Sequence, residues 1–142
     1  MKISLDIQTE KVNALMKKRT DEAKRNVARR IANAANLVRN TAVNSIRAEP
    51  KTGKVRKRDG HVASAAGEPP ASDTGILANS ISTAIYTSDT SAEAHVVAST
   101  DYAAHLEFGT QKMAARPFMQ PALERNREKI IRSFKTGKLI GS

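Results

Sequence analysis

Asn79-Ser80-Ile81-Ser82-Thr83-Ala84-Ile85-Tyr86-Thr87-Ser88-Asp89-Thr90-Ser91-Ala92-Glu93-Ala94-His95-Val96-Val97-Ala98 is the stretch from which the fold is read. Two β-rich runs flank the short polar turn Ser88-Asp89-Thr90-Ser91, and that arrangement predicts an antiparallel hairpin. Upstream, Ile3, Leu5 and Ile7 alternate with Lys2, Ser4, Asp6 and Gln8, the period of a half-buried strand. From Thr9 the period changes. Val12, Leu15, Met16, Ala23, Val27, Ile31, Ala34, Ala35, Val38, Ala42 and Ile46 recur mostly three and four residues apart, with no Gly or Pro before Pro50. One helix over about Thr9–Arg47 is predicted, roughly 55 Å long, with a cap at Thr20-Asp21 where it could break. Its other face carries Lys17, Lys18, Arg19, Lys24, Arg25, Arg29, Arg30 and Arg39.

Downstream of the hairpin, Asp101 is placed to cap a short helix over Tyr102–Phe108, ended by Gly109 in the left-handed conformation. Met113–Met119 reads as an irregular link, because Pro117 disfavours helix at Arg116. Pro121 suits the first position of a last helix that ends near Gly137, with Leu123, Ile130, Ile131 and Phe134 as its apolar stripe. Residues 48–75, framed by Glu49-Pro50-Lys51-Thr52-Gly53-Lys54 and Gly67-Glu68-Pro69-Pro70-Ala71-Ser72-Asp73-Thr74-Gly75, read as an extended loop with little regular structure. Such a segment is a candidate arm that orders on a partner. The order β, long α, loop, β-hairpin, short α, α predicts one α+β domain over residues 1–142, with helices packed on one face of a small antiparallel sheet.

Composition narrows the function. The 142 residues contain no Cys, which excludes a disulfide scaffold, a thiol nucleophile and cysteine-based metal sites. No apolar run approaches the roughly 20 residues of a membrane span, and the first residues are too short an apolar stretch for a signal peptide. The net charge of +10 first suggests nucleic acid. Its distribution changes that meaning: residues 1–58 carry a net +11, residues 59–110 a net −7 with no Lys or Arg, and residues 111–142 a net +6. Opposite blocks of this kind can pair within a chain or between copies.

Catalytic chemistry finds no foothold. Thr52-Gly53-Lys54 and Thr136-Gly137-Lys138 do not complete a phosphate-binding loop, and no Gly-x-Ser-x-Gly turn occurs. His61, His95 and His105 lack metal-motif spacing. No catalytic, metal-binding or cofactor-binding residue is therefore assigned. Nucleic-acid binding has charge behind it but no recognition-helix motif, zinc finger or stacking platform.

The most informative stretch is Asp101-Tyr102-Ala103-Ala104-His105-Leu106-Glu107-Phe108-Gly109-Thr110-Gln111-Lys112-Met113-Ala114-Ala115-Arg116-Pro117-Phe118-Met119-Gln120-Pro121-Ala122-Leu123. Tyr-Ala-x-x-x-Glu-Phe-Gly-Thr, then Ala-Arg-Pro-Phe and Pro-Ala, resembles the signature of the minor tail components of bacteriophages and prophages, the neck or tail-completion proteins of long-tailed phages. A second hallmark, Asp73-Thr74-Gly75-Ile76-Leu77-Ala78-Asn79-Ser80-Ile81, is similar to the family's upstream motif; Ile76 stands where Arg is usual. Gly67-Glu68-Pro69-Pro70-Ala71 is similar to a common variant.

The resemblance implies a virion protein of the head–tail junction, assembled in the cytoplasm of a bacterial host. It would act as a ring around the DNA channel, between a head-side connector and tail-side proteins. Six copies would match the symmetry of phage tails. DNA would then be near only because it passes through. Asp73, Thr74, Gly75, Leu77, Ser80, Tyr102, Glu107, Phe108, Gly109, Thr110, Arg116, Pro117, Phe118 and Pro121 become the expected subunit or partner interface, with Arg25, Arg29 and Arg30 as a basic one.

Physical roles for the same residues stand beside this. Tyr102, Phe108 and Phe118 are three of five aromatics and are expected to anchor the packing of the short helix. Glu107 and Arg116 could form an ion pair holding the loop between them. Rings need heterologous contacts, and the charge blocks suggest that the acidic hairpin and short helix of one copy meet a basic helix of the next. The alternative is a small basic nucleic-acid-binding protein, whose affinity would fall steeply with salt.

Overall fold

The computed structural model describes residues 1–4 and 21–139. It is an α+β fold with three strands and four helices among those residues. The chain runs through β1 (Lys2–Ser4), α1 (Asp21–Arg47), α2 (Ile76–Asn79), β2 (Ile81–Thr87), β3 (Ala92–Ala98), α3 (Ala103–Phe108) and α4 (Met119–Thr136). The expected strand over residues 5–7 and helix over 9–20 lie outside the described residues.

The predicted hairpin forms, with Ile81 opposite Ala98 and Thr87 opposite Ala92. Ser88 makes its turn: the hydroxyl accepts the Thr90 and Ser91 N–H groups at 3.3 and 3.0 Å, while the Ser88 N–H donates to the Ser91 carbonyl at 2.8 Å. The sheet order is β1-β3-β2, fully antiparallel, with Lys2 opposite Val97 and Ser4 opposite His95. The strand begins at Ile81 rather than Asn79, because Ile76–Asn79 close one helical turn first. The Ser80 hydroxyl ends that turn by donating to the Leu77 carbonyl at 2.8 Å.

On β3 the small residues Ala92, Ala94, Val96 and Ala98 are buried on one face. They lie under α1, whose stripe Val27, Ile31, Ala34, Ala35, Val38, Ala42, Val43 and Ile46 is buried at helical spacing. Alanines on both sides let helix and sheet approach closely. Asp21 and Glu22 in the first turn of α1 favour its positive N-terminal end. α4 packs chiefly on α1 rather than on the sheet itself. Asn126 of α4 donates to the Thr41 hydroxyl at 2.9 Å and Arg30 of α1 to the Gly137 carbonyl at 2.7 Å.

Three local expectations are corrected. Asp101 does not cap α3; the N-cap position is Tyr102, without a side-chain hydrogen bond, and the Ala103 N–H instead meets the Thr100 carbonyl at 3.1 Å. Gly109 has φ 76° but ψ 177°, an extended geometry rather than the left-handed helical one. Pro121 occupies the third position of α4 rather than the first, since the helix begins at Met119. Proline is accepted anywhere in a first turn, where its missing N–H has no helical partner to lose.

The aromatic anchors are a fourth correction. Phe118 is fully buried, yet Tyr102 is 44% and Phe108 74% exposed. The core is built instead on Phe118, Met119, Ile46, Ile81, Ile130, Val38 and Val96.

Candidate functional site

The two halves of the family-like signature meet at one end of the sheet. Each is held in place by a carboxylate that gathers hydrogen-bond donors.

The first half belongs to residues 51–75. This segment contains no helix or strand of its own, as expected, yet it carries its own hydrogen bonds. Gly53 donates to the Ala63 carbonyl and Ala63 to the Lys54 carbonyl, both at 3.0 Å, around an isolated bridge between Val55 and Val62. A Cβ on Gly53 would stand 2.4 Å from the Ala63 carbonyl oxygen. Glu68 braces the base of the loop, accepting from the Thr52 hydroxyl, the Ala65 N–H at 2.9 Å and the Thr52 N–H at 3.1 Å. These bonds, the Thr52 hydroxyl foremost, hold its carboxyl down at about 2.

Arg56 reaches across the loop to the signature. Its two terminal nitrogens form a fork on the two Asp73 oxygens, each at 3.0 Å, and its Nε donates to Asp59 at 2.8 Å. The pairing keeps both carboxyls below their usual range and raises the guanidinium above its own. Lys51 donates to the Ser45 carbonyl at 2.6 Å, and burial lowers its ammonium. A bond from the Gly67 N–H to the Ala115 carbonyl, 2.9 Å, ties this loop to the second half.

The second half turns on Glu107. Its buried carboxylate accepts the N–H groups of Phe118 at 2.8 Å, Met119 at 3.0 Å and Gln120 at 2.8 Å. Those are the free donors at the start of α4, and the next residue, Pro121, has none to satisfy. A negative charge there also complements the helix dipole. The expected Glu107–Arg116 ion pair does not form: the Glu107 carboxylate is turned onto the start of α4. Arg116 instead donates its backbone N–H to the Leu106 carbonyl at 2.6 Å, and its Nε is buried without a hydrogen-bond partner among the described residues. The distant cap had a visible signal: α4 opens Phe118-Met119-Gln120-Pro121, with no Ser, Thr, Asp or Asn at its start, so its cap must come from elsewhere in the chain.

Gly109 links α3 to this loop. At φ 76°, with Ala115 N and Met113 O each 2.9 Å from where a Cβ would sit, no other residue fits without movement. Thr110 then closes a tight turn with Met113, its N–H donating to the Met113 carbonyl at 2.8 Å. Pro117, half-buried, leads into the buried Phe118.

Between the halves lies a cleft of about 320 Å³. The first segment lines it with His61, Asp73, Thr74, Gly75, Ile76 and Leu77, the second with Tyr102, Leu106 and Arg116, and Ile46 of α1, Pro70 and Ser64 complete it. Of the expected interface residues, six therefore share one cavity: Asp73, Thr74, Gly75, Leu77, Tyr102 and Arg116. Glu107, Gly109, Pro117, Phe118 and Pro121 lie outside its lining, in the α3–α4 connection that Glu107 fixes. Ser80 and Thr110 serve local turns, and Phe108 points to solvent.

The expected basic surface is separate and partly dissolved. Arg30 is engaged with Gly137, while Arg25 and Arg29 are exposed with no partner among the described residues. The seventeen residues from Arg29 to Ile46 put them about 25 Å from the cleft.

Among the described residues no group of His, Asp and Glu is arranged to hold a metal ion, and no helix is long and apolar enough to cross a membrane. Comparison with protein-family models, with curated proteins and with solved structures finds no match to this chain.

Proposed function

We propose that the chain is a structural component of a phage or prophage virion at the head–tail junction, a neck or tail-completion protein that works by assembling and not by turnover. One observation carries this reading: two signature-like segments, Asp73–Ile81 and Asp101–Leu123, converge on a single cleft and are braced there by Glu68, Arg56 and Glu107. Such investment in fixing loop backbone, around a cavity whose neighbouring acid and base, Asp73 and His61, have the acid committed to Arg56, suits a docking surface better than a reaction centre. By the same resemblance its partners are further copies of itself, a head-side connector and tail-side proteins, with DNA passing through the ring.

Removing the gene from an inducible prophage tests the reading. Filled heads and free tails, accumulating unjoined in electron micrographs, are expected; intact joined particles would overturn it. The nucleic-acid alternative predicts duplex-DNA binding that falls steeply between low and physiological salt and is lost on replacing Arg25 and Arg29 with Glu.

A further inference from the structure

The large exposed apolar side chains fall mainly at two opposite ends of the sheet. At the end where β2 starts, Ile76 is 57%, Tyr102 44% and Phe108 74% exposed, the first two on the rim of the cleft. At the end where the hairpin turns, Ile85 is 39% and Tyr86 59% exposed. Seven residues of β2 separate the ends, about 20 Å of strand. α1 runs between the same two ends: near its C-terminus Arg47 bonds Asn79 beside the cleft, and near its N-terminus Lys24 approaches Asp89 at the hairpin tip.

The ends are complementary in charge as well. Asp89 projects from the tip with its side chain fully exposed, and its one ion-pair contact among the described residues, to Lys24, is at 4.0 Å. Arg116 offers the cleft's cation. Its Nε is sealed without a partner, and its terminal nitrogens make no hydrogen bond among the described residues. A guanidinium so placed is a fork waiting for a carboxylate. The cleft's volume is at the small end of the roughly 300–1,000 Å³ of ligand pockets, and besides Arg116 its ionisable lining is Asp73 with His61 beside it. Asp73 is already committed to Arg56.

We propose that the cleft receives the β2–β3 hairpin tip of a second copy of this chain, Tyr86 entering between Ile76 and Tyr102 while Asp89 meets Arg116. The proposal rests on the assembly reading above and names the surfaces it would use. Because donor and acceptor surfaces lie at opposite ends, the contact is heterologous and adds subunits head to tail, closing into a ring where the rotation allows.

The chain has no Cys, so a designed pair reports the contact cleanly. Thr90→Cys at the tip, which spares the Ser88 hydroxyl that makes the turn, and Thr74→Cys on the cleft rim both lie on exposed residues. Mild oxidation of the double variant at high protein concentration is expected to give a ladder of covalent dimers, trimers and larger species. Each single variant should stop at dimers. Asp89→Arg and Ile76→Glu should each weaken association by roughly tenfold or more, and Arg116→Glu combined with Asp89→Arg should restore it. Ile76→Glu keeps the test sound should Arg116→Glu unfold the cleft, and a melting curve of each variant separates the two effects.

Assemblies by mass that give no ladder and ignore both surface substitutions would overturn this interface and leave the virion reading standing. A chain that stays monomeric and uncrosslinked at every concentration would overturn it too. The virion reading itself is decided by the prophage deletion, which does not depend on how copies touch.

Discussion

The two walls of the cleft are held by the same device in opposite surroundings. Glu68 gathers a hydroxyl and two N–H groups at an exposed loop base; Glu107 gathers three N–H groups inside the protein. Water can replace the partners of Glu68 if the carboxylate is lost. It cannot easily reach those of Glu107, because a buried donor left unpaired keeps its full desolvation cost. The exposed wall is therefore adjustable and responsive to solution conditions, whereas the buried one is fixed as part of the core.

The sharpest way to break this contrast is Glu107→Ala. It strands the donors of Phe118 and Met119 in the interior and removes a charge from the start of α4, so a loss of about 3 kcal/mol is expected by chemical denaturation. Glu107→Gln keeps one carbonyl acceptor and should lose less. If the alanine variant is as stable as the parent, the buried wall owes nothing to Glu107.

Gly109→Ala comes next. It places a Cβ against Ala115 and Met113 at a backbone geometry that only glycine adopts freely, and about 2 kcal/mol of destabilisation is expected. The melting temperature should fall accordingly. Unchanged stability would mean that the 110–115 turn shifts without cost.

The smallest effect belongs to the exposed wall and appears as pH dependence. Glu68 has its carboxyl depressed from 4.5 to about 2, so the folded loop binds a proton less readily than the unfolded chain. Its contribution is complete above about pH 4.5 and is lost as pH falls through about 2. Amide protection at Thr52 and Ala65, taken against the intrinsic exchange rate at each pH, should fall over that window while Phe118 and Met119 stay protected. Glu68→Gln, which keeps one carbonyl acceptor, should remove the dependence and leave a reduced protection that no longer changes with pH. Equal acid sensitivity of both sets would erase the distinction between the walls.

Local patterns were legible where one element decides its own conformation. Ser88–Ser91 announced the hairpin, the Val27-to-Ile46 spacing announced α1, and Gly137 marked the end of α4. Features that join distant segments were not. Glu107 and Arg116 looked like partners because they flank one loop, yet the carboxylate is turned onto the start of α4 instead. Phe108 and Tyr102 looked like core because aromatics are scarce; the alanines of α1 and β3 fill the core by close approach, leaving those rings outside. Residues 48–75 read as loose because Gly and Pro dominate them, but the Arg56–Asp73 fork and the Glu68 brace act across 17 and 16 residues, beyond any local pattern. The signature segments themselves were visible, and what the fold adds is that they share a cavity.

The sheet order also has a consequence in time. The strand that β1 pairs with, through Lys2 and Val97, is synthesised about 95 residues after it, on the order of 5–20 s later at ordinary rates of synthesis. Until β3 emerges from the ribosome, β1 has no native sheet to join. Docking of the N-terminal strand is therefore a late event of biosynthesis, and a nascent chain stalled before Ala92 would expose an unpaired strand to chaperones.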